Sequence, residues 1–211
     1  MVENYLDKPL SAYLADAAAK KPAPGGGSVA ALVGALASAM ASMAANFTVG
    51  KEKFAAVEPQ VRASLKLLDE ARRKFLDLMH RDMEAYEGVL AAYRLPKGTD
   101  AERAARQTAV QEALGQSLLV PLKVTKVAVQ VLEASEQLAN IANPNLLSDV
   151  AVAAVLAEAT FAAGRINVEV NLDGLDDRDL VASTRAELDA SEAVAARLKS
   201  NCLEAVVARK H

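Results

Sequence analysis

Pro22-Ala23-Pro24-Gly25-Gly26-Gly27-Ser28 opens the stretch PAPGGGSVAALVGALASAMASMAANFTVG, which runs to Gly50 without a charged side chain. Inside it Ala30, Gly34, Ser38, Ser42 and Asn46 recur every four residues, the spacing of one face of a helix. Small residues at that spacing let neighbouring backbones come close, so the stretch predicts a helix buried on most sides within a bundle. It is long enough to cross a membrane. Its Ala, Ser and Gly content, with Asn46 and Thr48 and few large aliphatics, favours a protein interior instead. The prolines favour extended chain, and Ser28 is placed to cap the helix. Free N–H groups at such a helix start attract carboxylate or phosphate. A tight turn between packed segments explains the glycines equally well. No Lys of a P-loop follows and no strand precedes, so nucleotide binding is not expected.

The rest of the composition points the same way. The 211 residues suit one domain, 1–211, and 52% are hydrophobic with alanine dominant, while aromatics are 4% and Trp is absent. Alanine favours helix and packs thinly, so closely approaching helices are expected rather than a sheet. A formal charge of -3 and the lack of a basic tail argue against nucleic acid as a partner. The single cysteine, Cys202, excludes an internal disulfide and suits a reducing, cytoplasmic setting. Residues 1–21 carry scattered charges and no apolar core segment, so no signal peptide is expected.

Periodicity and breakers predict one all-α domain of about seven helices. A short helix over Leu10–Ala19 precedes the small-residue helix, Ser28 to about Phe47. A long amphipathic helix from Glu58 to Tyr93 has Pro59 in its first turn. Thr99 or Asp100 caps the next, and Pro121 is expected to kink or interrupt it before a segment reaching Leu138. Ser148 or Asn145 is expected to cap a helix over about Leu147–Leu172. Asp173-Gly174 ends it, and a last helix starts near Asp176–Asp179.

Polar residues in apolar seams are the candidate chemistry. In the Glu58–Tyr93 helix the stripe reads Val61, Leu65, Leu68, Phe75, Met79, Tyr86, Val89 and Tyr93, with Arg72 and Asp82 in the two remaining places. An inward Asp82 is either paired, with Arg72 or Arg81, or titrates with a raised pKa suited to moving protons. Asp149 lies in a first helical turn, where the helix dipole alone explains a carboxylate. Asn167 and Asn171, one turn apart, are able to grip a ring bearing donors and acceptors, such as a pterin, or to lock helix packing. Lys51 and Lys53 follow the small-residue helix, as cations often do, and are also placed to meet an anionic tail. His80, His211 and an isolated Cys202 make no zinc constellation.

With these motifs in hand, the sequence resembles the cyclodeaminase/cyclohydrolase family of folate enzymes. The matching residues are Pro22–Ala31, Met43 with Asn46 through Lys51, Asp82–Tyr86, Leu95-Pro96-Lys97, Val120-Pro121-Leu122, Ser148-Asp149 and Asn167–Leu172. They span nearly the whole chain in order, and the likeness is to stand-alone bacterial members. The resemblance implies an all-helical homodimer holding a tetrahydrofolate derivative in a groove between helices, with no metal or redox cofactor and no nucleic-acid or membrane partner. It places Gly25, Gly26, Gly27 and Ser28 at the border of the site, with Asp82 and Asp149 as its catalytic carboxylates. Asn46, Lys51, Asn167 and Asn171 would contact substrate, Lys51 facing the glutamate tail. Two activities stay open: 5-formiminotetrahydrofolate to 5,10-methenyltetrahydrofolate plus ammonia, or hydrolysis of the methenyl bridge to 10-formyltetrahydrofolate. A non-catalytic folate-binding protein or a purely structural helical dimer stays open beside them.

Overall fold

The structure, a computed structural model, describes residues 3–209, and all its regular elements are helical. Six α-helices follow one another: α1 (Leu10–Ala17), α2 (Gly26–Asn46), α3 (Glu58–Tyr93), α4 (Asp100–Ile141), α5 (Leu147–Leu172) and α6 (Arg178–Arg209). Single 3-10 turns, Glu52–Phe54 and Pro144–Leu146, lead into α3 and α5. His211 lies outside the described residues.

The expected seventh helix vanishes because Pro121 does not divide α4, which runs unbroken through it for 42 residues. Pro121 is buried, and Gly164 of α5 brings that helix close to the same turn. A Cβ on Gly164 would stand 3.0 Å from Thr125 Cγ2 and 3.6 Å from the Pro121 carbonyl. Burial of the proline, with α5 packed close to its turn, outweighs the roughly 3 kcal/mol helix penalty it carries. Of the two caps the sequence offered for α4, Thr99 or Asp100, Thr99 is the one used. Thr99 Oγ1 accepts the Glu102 N–H at 3.2 Å while the Glu102 carboxylate accepts the Thr99 N–H at 2.8 Å. At its other end Arg209 of α6 donates to the carbonyls of Ala139 and Ala142, at 2.7 and 2.8 Å.

Consecutive long helices run antiparallel. Gly34 of α2 faces Phe75 of α3, and Ser64 of α3 donates to Gln137 of α4 at 2.9 Å. The two ends of α2 meet opposite ends of α5. Gly26 abuts Asn167, and beyond the far end Asn143 donates its backbone N–H to Thr48 Oγ1 (2.9 Å) and its side-chain amide to the Phe47 carbonyl (3.3 Å). Thin packing around α2 is the direct result of its small residues. Ala30, Ala31, Ala37, Ser38, Ala41, Ala44 and Ala45 are all at most 1% exposed. Gly34 makes room for the Phe75 ring, since a Cβ there would sit 2.6 Å from Cε1 and Cζ. Ser38 satisfies its buried hydroxyl by donating to the Gly34 carbonyl.

The apolar interior forms two clusters. The larger is built mainly on α2 to α5; the smaller joins Val89, Leu114, Leu118, Val168, Leu172 and Leu188 at the α3–α4 turn end of the bundle. A cleft opens where they part, bordered by Met83 of the first and by Val89 and Leu114 of the second.

Candidate functional site

The cleft has a volume of about 420 Å³, within the range of small-molecule sites. Four helices supply its walls: the start of α2 (Gly25, Gly26, Gly27), α3 (Asp82, Met83, Tyr86, Val89, Tyr93), α4 (Leu114, Ser117) and the end of α5 (Asn167, Val170, Asn171).

Its chemistry centres on Asp82. Gly25, not Ser28, is the N-cap of α2, and it makes no side-chain cap; Ser28 falls in the first turn. The Asp82 carboxylate, reaching across from α3, accepts the Ser28 N–H at 2.8 Å and so fills the anion-binding corner from within the protein. The expected capping residue is therefore replaced by a carboxylate 54 positions away. Gly27 is what admits it: a Cβ there would lie 2.6 Å from Asp82 Cγ, 2.9 Å from Oδ2 and closer still to Oδ1. The Ser28 hydroxyl, fully buried, pairs instead with the Tyr13 hydroxyl of α1 at 3.0 Å.

Among the described residues Asp82 has no cationic neutraliser in its own seam. Arg72 pairs with Asp69 (3.0 Å) and Arg81 with Asp77 (2.7 Å), both on the solvent side of α3. Burial pushes the Asp82 pKa above the ordinary carboxylate value, and the Ser28 N–H pulls back only partly. Burial raises the Tyr13 hydroxyl pKa too, with the Asp82 charge adding to it and the Ser28 contact opposing it. The result is a carboxyl group fixed at one oxygen, open to a cleft, and poised to hold or release a proton.

Opposite Asp82, the two asparagines of α5 are bound to their own helix. Asn167 Nδ2 donates to the Ala163 carbonyl at 2.8 Å and Asn171 Nδ2 to the Asn167 carbonyl at 2.9 Å. Each keeps its Oδ1 and a second amide N–H for other partners. Tyr86 and Tyr93, read from the stripe as core, are instead 42% and 46% exposed and form an aromatic wall. Their positions in line with Asp82 were the available signal. Ser117 had none beyond lying one turn before Pro121, and Tyr13 had none.

The structure gathers Gly25, Gly26, Gly27, Ser28, Asp82, Asn167 and Asn171 at one end of α2 and α5. It does not bring Asn46, Lys51 or Asp149 there. Asn46 closes α2, and its 21 residues put that end about 30 Å from Gly26. Lys51 lies just beyond, exposed, with Nζ 5.8 Å from the Phe47 ring centre. Asp149 stands in the first turn of α5, about 27 Å from Asn167 along the helix. Neither Ser148 nor Asn145 caps α5; Asn143 instead accepts the Asn145 N–H and caps the 3-10 turn before it. His80 lies outside the cleft, 3.4 Å from Glu84, and no group of three metal-binding side chains occurs among the described residues.

The formiminotransferase-cyclodeaminase family matches residues 9–190 of this chain. A methenyltetrahydrofolate cyclohydrolase of Methylorubrum extorquens is 38% identical over 197 residues, covering 93% of this chain and 95% of that protein. A formimidoyltransferase-cyclodeaminase of Rattus norvegicus is 36% identical over 87% of this chain, which spans about a third (34%) of that longer protein. The crystal structure of a formiminotetrahydrofolate cyclodeaminase from Thermotoga maritima shares the fold with a TM-score of 0.86 at 34% identity, over 96% of this chain and 97% of that one.

Proposed function

The chain belongs to the formiminotransferase-cyclodeaminase family, and from that premise we propose that it is a folate one-carbon enzyme acting at the carbon that joins N5 and N10. Our first reading is the cyclodeaminase reaction, 5-formiminotetrahydrofolate to 5,10-methenyltetrahydrofolate and ammonia. The observation that carries it is Asp82: a carboxyl group with no cation partner among the described residues, lining the cleft with its pKa raised.

The chemistry needs one group that takes a proton and then returns it. N10 attacks the protonated formimino carbon on N5, forming the C–N10 bond and a tetrahedral carbon. The Asp82 carboxylate takes the N10 proton. The resulting acid gives it to the former imino nitrogen, the C–N bond to that nitrogen breaks, and ammonia leaves. Substrate and one carboxyl group balance every atom and charge, so the reading calls for no metal or redox cofactor. Asn171 Oδ1 and Asn167 Oδ1 accept from the pterin, and Tyr86 and Tyr93 flank its rings. A second reading, hydrolysis of the methenyl bridge by water at the same carbon, is favoured by the full-length match to the Methylorubrum cyclohydrolase.

We further propose a cytoplasmic homodimer. α5 exposes Val152, Val155, Ala159, Ala162, Ile166 and Val170 along one face, and α2 beside it exposes Val29 and Leu36, with Phe47 just past its end. Both helices are long and apolar enough to cross a membrane, yet α2 is largely enclosed by its neighbours. A second copy across this face covers the apolar rows. A two-fold axis lying in that face and perpendicular to α2 carries the partner's far end toward this cleft. Asn46, Lys51 and Asp149 would thereby serve the site across the interface, with Lys51 facing the glutamate tail and Asp149 orienting the pterin.

The test follows the near-ultraviolet absorbance of the methenyl bridge. Appearance of the band with ammonia release from the formimino substrate supports the cyclodeaminase. Loss of the band faster than the spontaneous rate, without action on the formimino compound, assigns the cyclohydrolase. Action on neither refutes both.

A further inference from the structure

Pro121 sits in the middle of an unbroken helix, where it removes a hydrogen bond. A proline has no N–H, so the carbonyl of Ser117, four residues earlier, lacks its helical donor, and the ring presses that carbonyl away from the axis. Left in an apolar interior, such an acceptor is costly. Ser117, however, stands on the cleft wall and is partly exposed, one turn along from Leu114, which also borders it. On the side of α5 the turn is packed closely, Gly164 lying against Thr125 and Pro121.

Two neighbouring helices also bring acceptors to the cleft. Asn167 and Asn171 have each spent one N–H on backbone and keep Oδ1, while Asp82 presents its carboxylate. We propose that Pro121 keeps the Ser117 carbonyl open as a fourth acceptor, from α4, for an N–H of the reduced pterin. A reduced pterin offers an exocyclic amine and ring N–H groups, and this wall matches it with acceptors on three helices. Ser117 then determines specificity through its main chain, and Pro121 is a positioning residue acting through it. The inference rests on the folate reading above.

Replacing Pro121 by any other residue restores the helical N–H and closes the carbonyl. Tetrahydrofolate is titrated onto the wild type, Pro121→Ala and Pro121→Val, with thermal unfolding of each. Both variants should bind about tenfold more weakly, the loss expected for one hydrogen bond. The loss should be equal for the two side chains, with KM raised and kcat at saturation unchanged. Thermal stability of Pro121→Ala should not fall. Binding within twofold of the wild type in both variants overturns the proposal. So does a loss that differs between Ala and Val, which would make Pro121 a shaper of the wall. Failure of both variants to fold overturns it as well, since a proline kept for an open carbonyl is dispensable to folding. A wild type that does not bind tetrahydrofolate refutes the folate reading itself and takes this inference with it; a wild type that binds, with unchanged variants, sinks this inference alone.

Discussion

Gly27→Ala separates the two things the glycine loop does. A Cβ at position 27 would sit 2.6 Å from Asp82 Cγ, so the carboxylate has to leave the Ser28 N–H it accepts at 2.8 Å. Losing that charge-assisted bond costs about 1.5–3 kcal/mol. Alanine for glycine inside a helix returns about 1 kcal/mol. The balance is a destabilisation of about 0.5–2 kcal/mol, which in a chain of this length lowers Tm by about 1–8 °C. Activity should fall much further, by about 10²–10⁴, because the displaced carboxyl group no longer meets the reacting nitrogen. The assay is the methenyl absorbance change at saturating substrate, paired with thermal unfolding followed by circular dichroism. Gly115→Ala is the control: a Cβ there meets nothing within 4 Å, so it gains only helix propensity and should raise Tm slightly. A Gly27→Ala enzyme that turns over within twofold of the wild type, with unchanged Tm, would refute the coupling of Gly27 to Asp82.

Asp82→Asn should cost about 10²–10⁴ in kcat and abolish the acidic limb of the pH–rate profile. In the wild type that limb should lie above the ordinary carboxylate pKa, because burial raises Asp82. Stability carries the opposite sign. With its pKa raised in the native state, Asp82 favours folding below the unfolded carboxylate value, near 3.9, and loses that contribution as pH climbs through the native value. Urea unfolding of wild type and Asp82→Asn across this window should therefore show the variant gaining relative stability as pH rises. Gly34→Ala pushes a Cβ into the fully buried Phe75 ring, which has no cleft to retreat into. It should destabilise by about 2–3 kcal/mol, measured by urea unfolding, while the folded fraction keeps its specific activity. Ile166→Lys, at a residue 66% exposed on the apolar face, should leave the fold intact and yield monomers in sedimentation velocity. Loss of activity in step with the dimer would support a site completed across the interface; a fully active monomer would refute it.

Local sequence carried the helices because their signals are local. Pro59 in the first turn and the Thr99–Glu102 reciprocal cap mark the starts of α3 and α4 from residues three or four apart, and Asp173-Gly174 marks the end of α5. The uncharged run after Gly25 announced a helix to which others could come close, and the burial of its alanines and serines follows. Asp82 was legible from its place in the α3 stripe; that Arg72 and Arg81 pair with Asp69 and Asp77 instead of with it only the fold decided. Tertiary structure decided what no local window contains. Pro121 was a breaker on propensity alone, and packing of α5 at Gly164 kept α4 whole. The cap of α2 came from α3 instead of from Ser28, since a first-turn N–H takes whichever acceptor the fold delivers. Tyr86 and Tyr93 shared the period of core residues and became cleft walls, because the two apolar clusters part beside them. A helix rises 1.5 Å per residue, so residues joined by one motif list, Gly27 with Lys51 or Asn171 with Asp149, end up at opposite ends of the bundle.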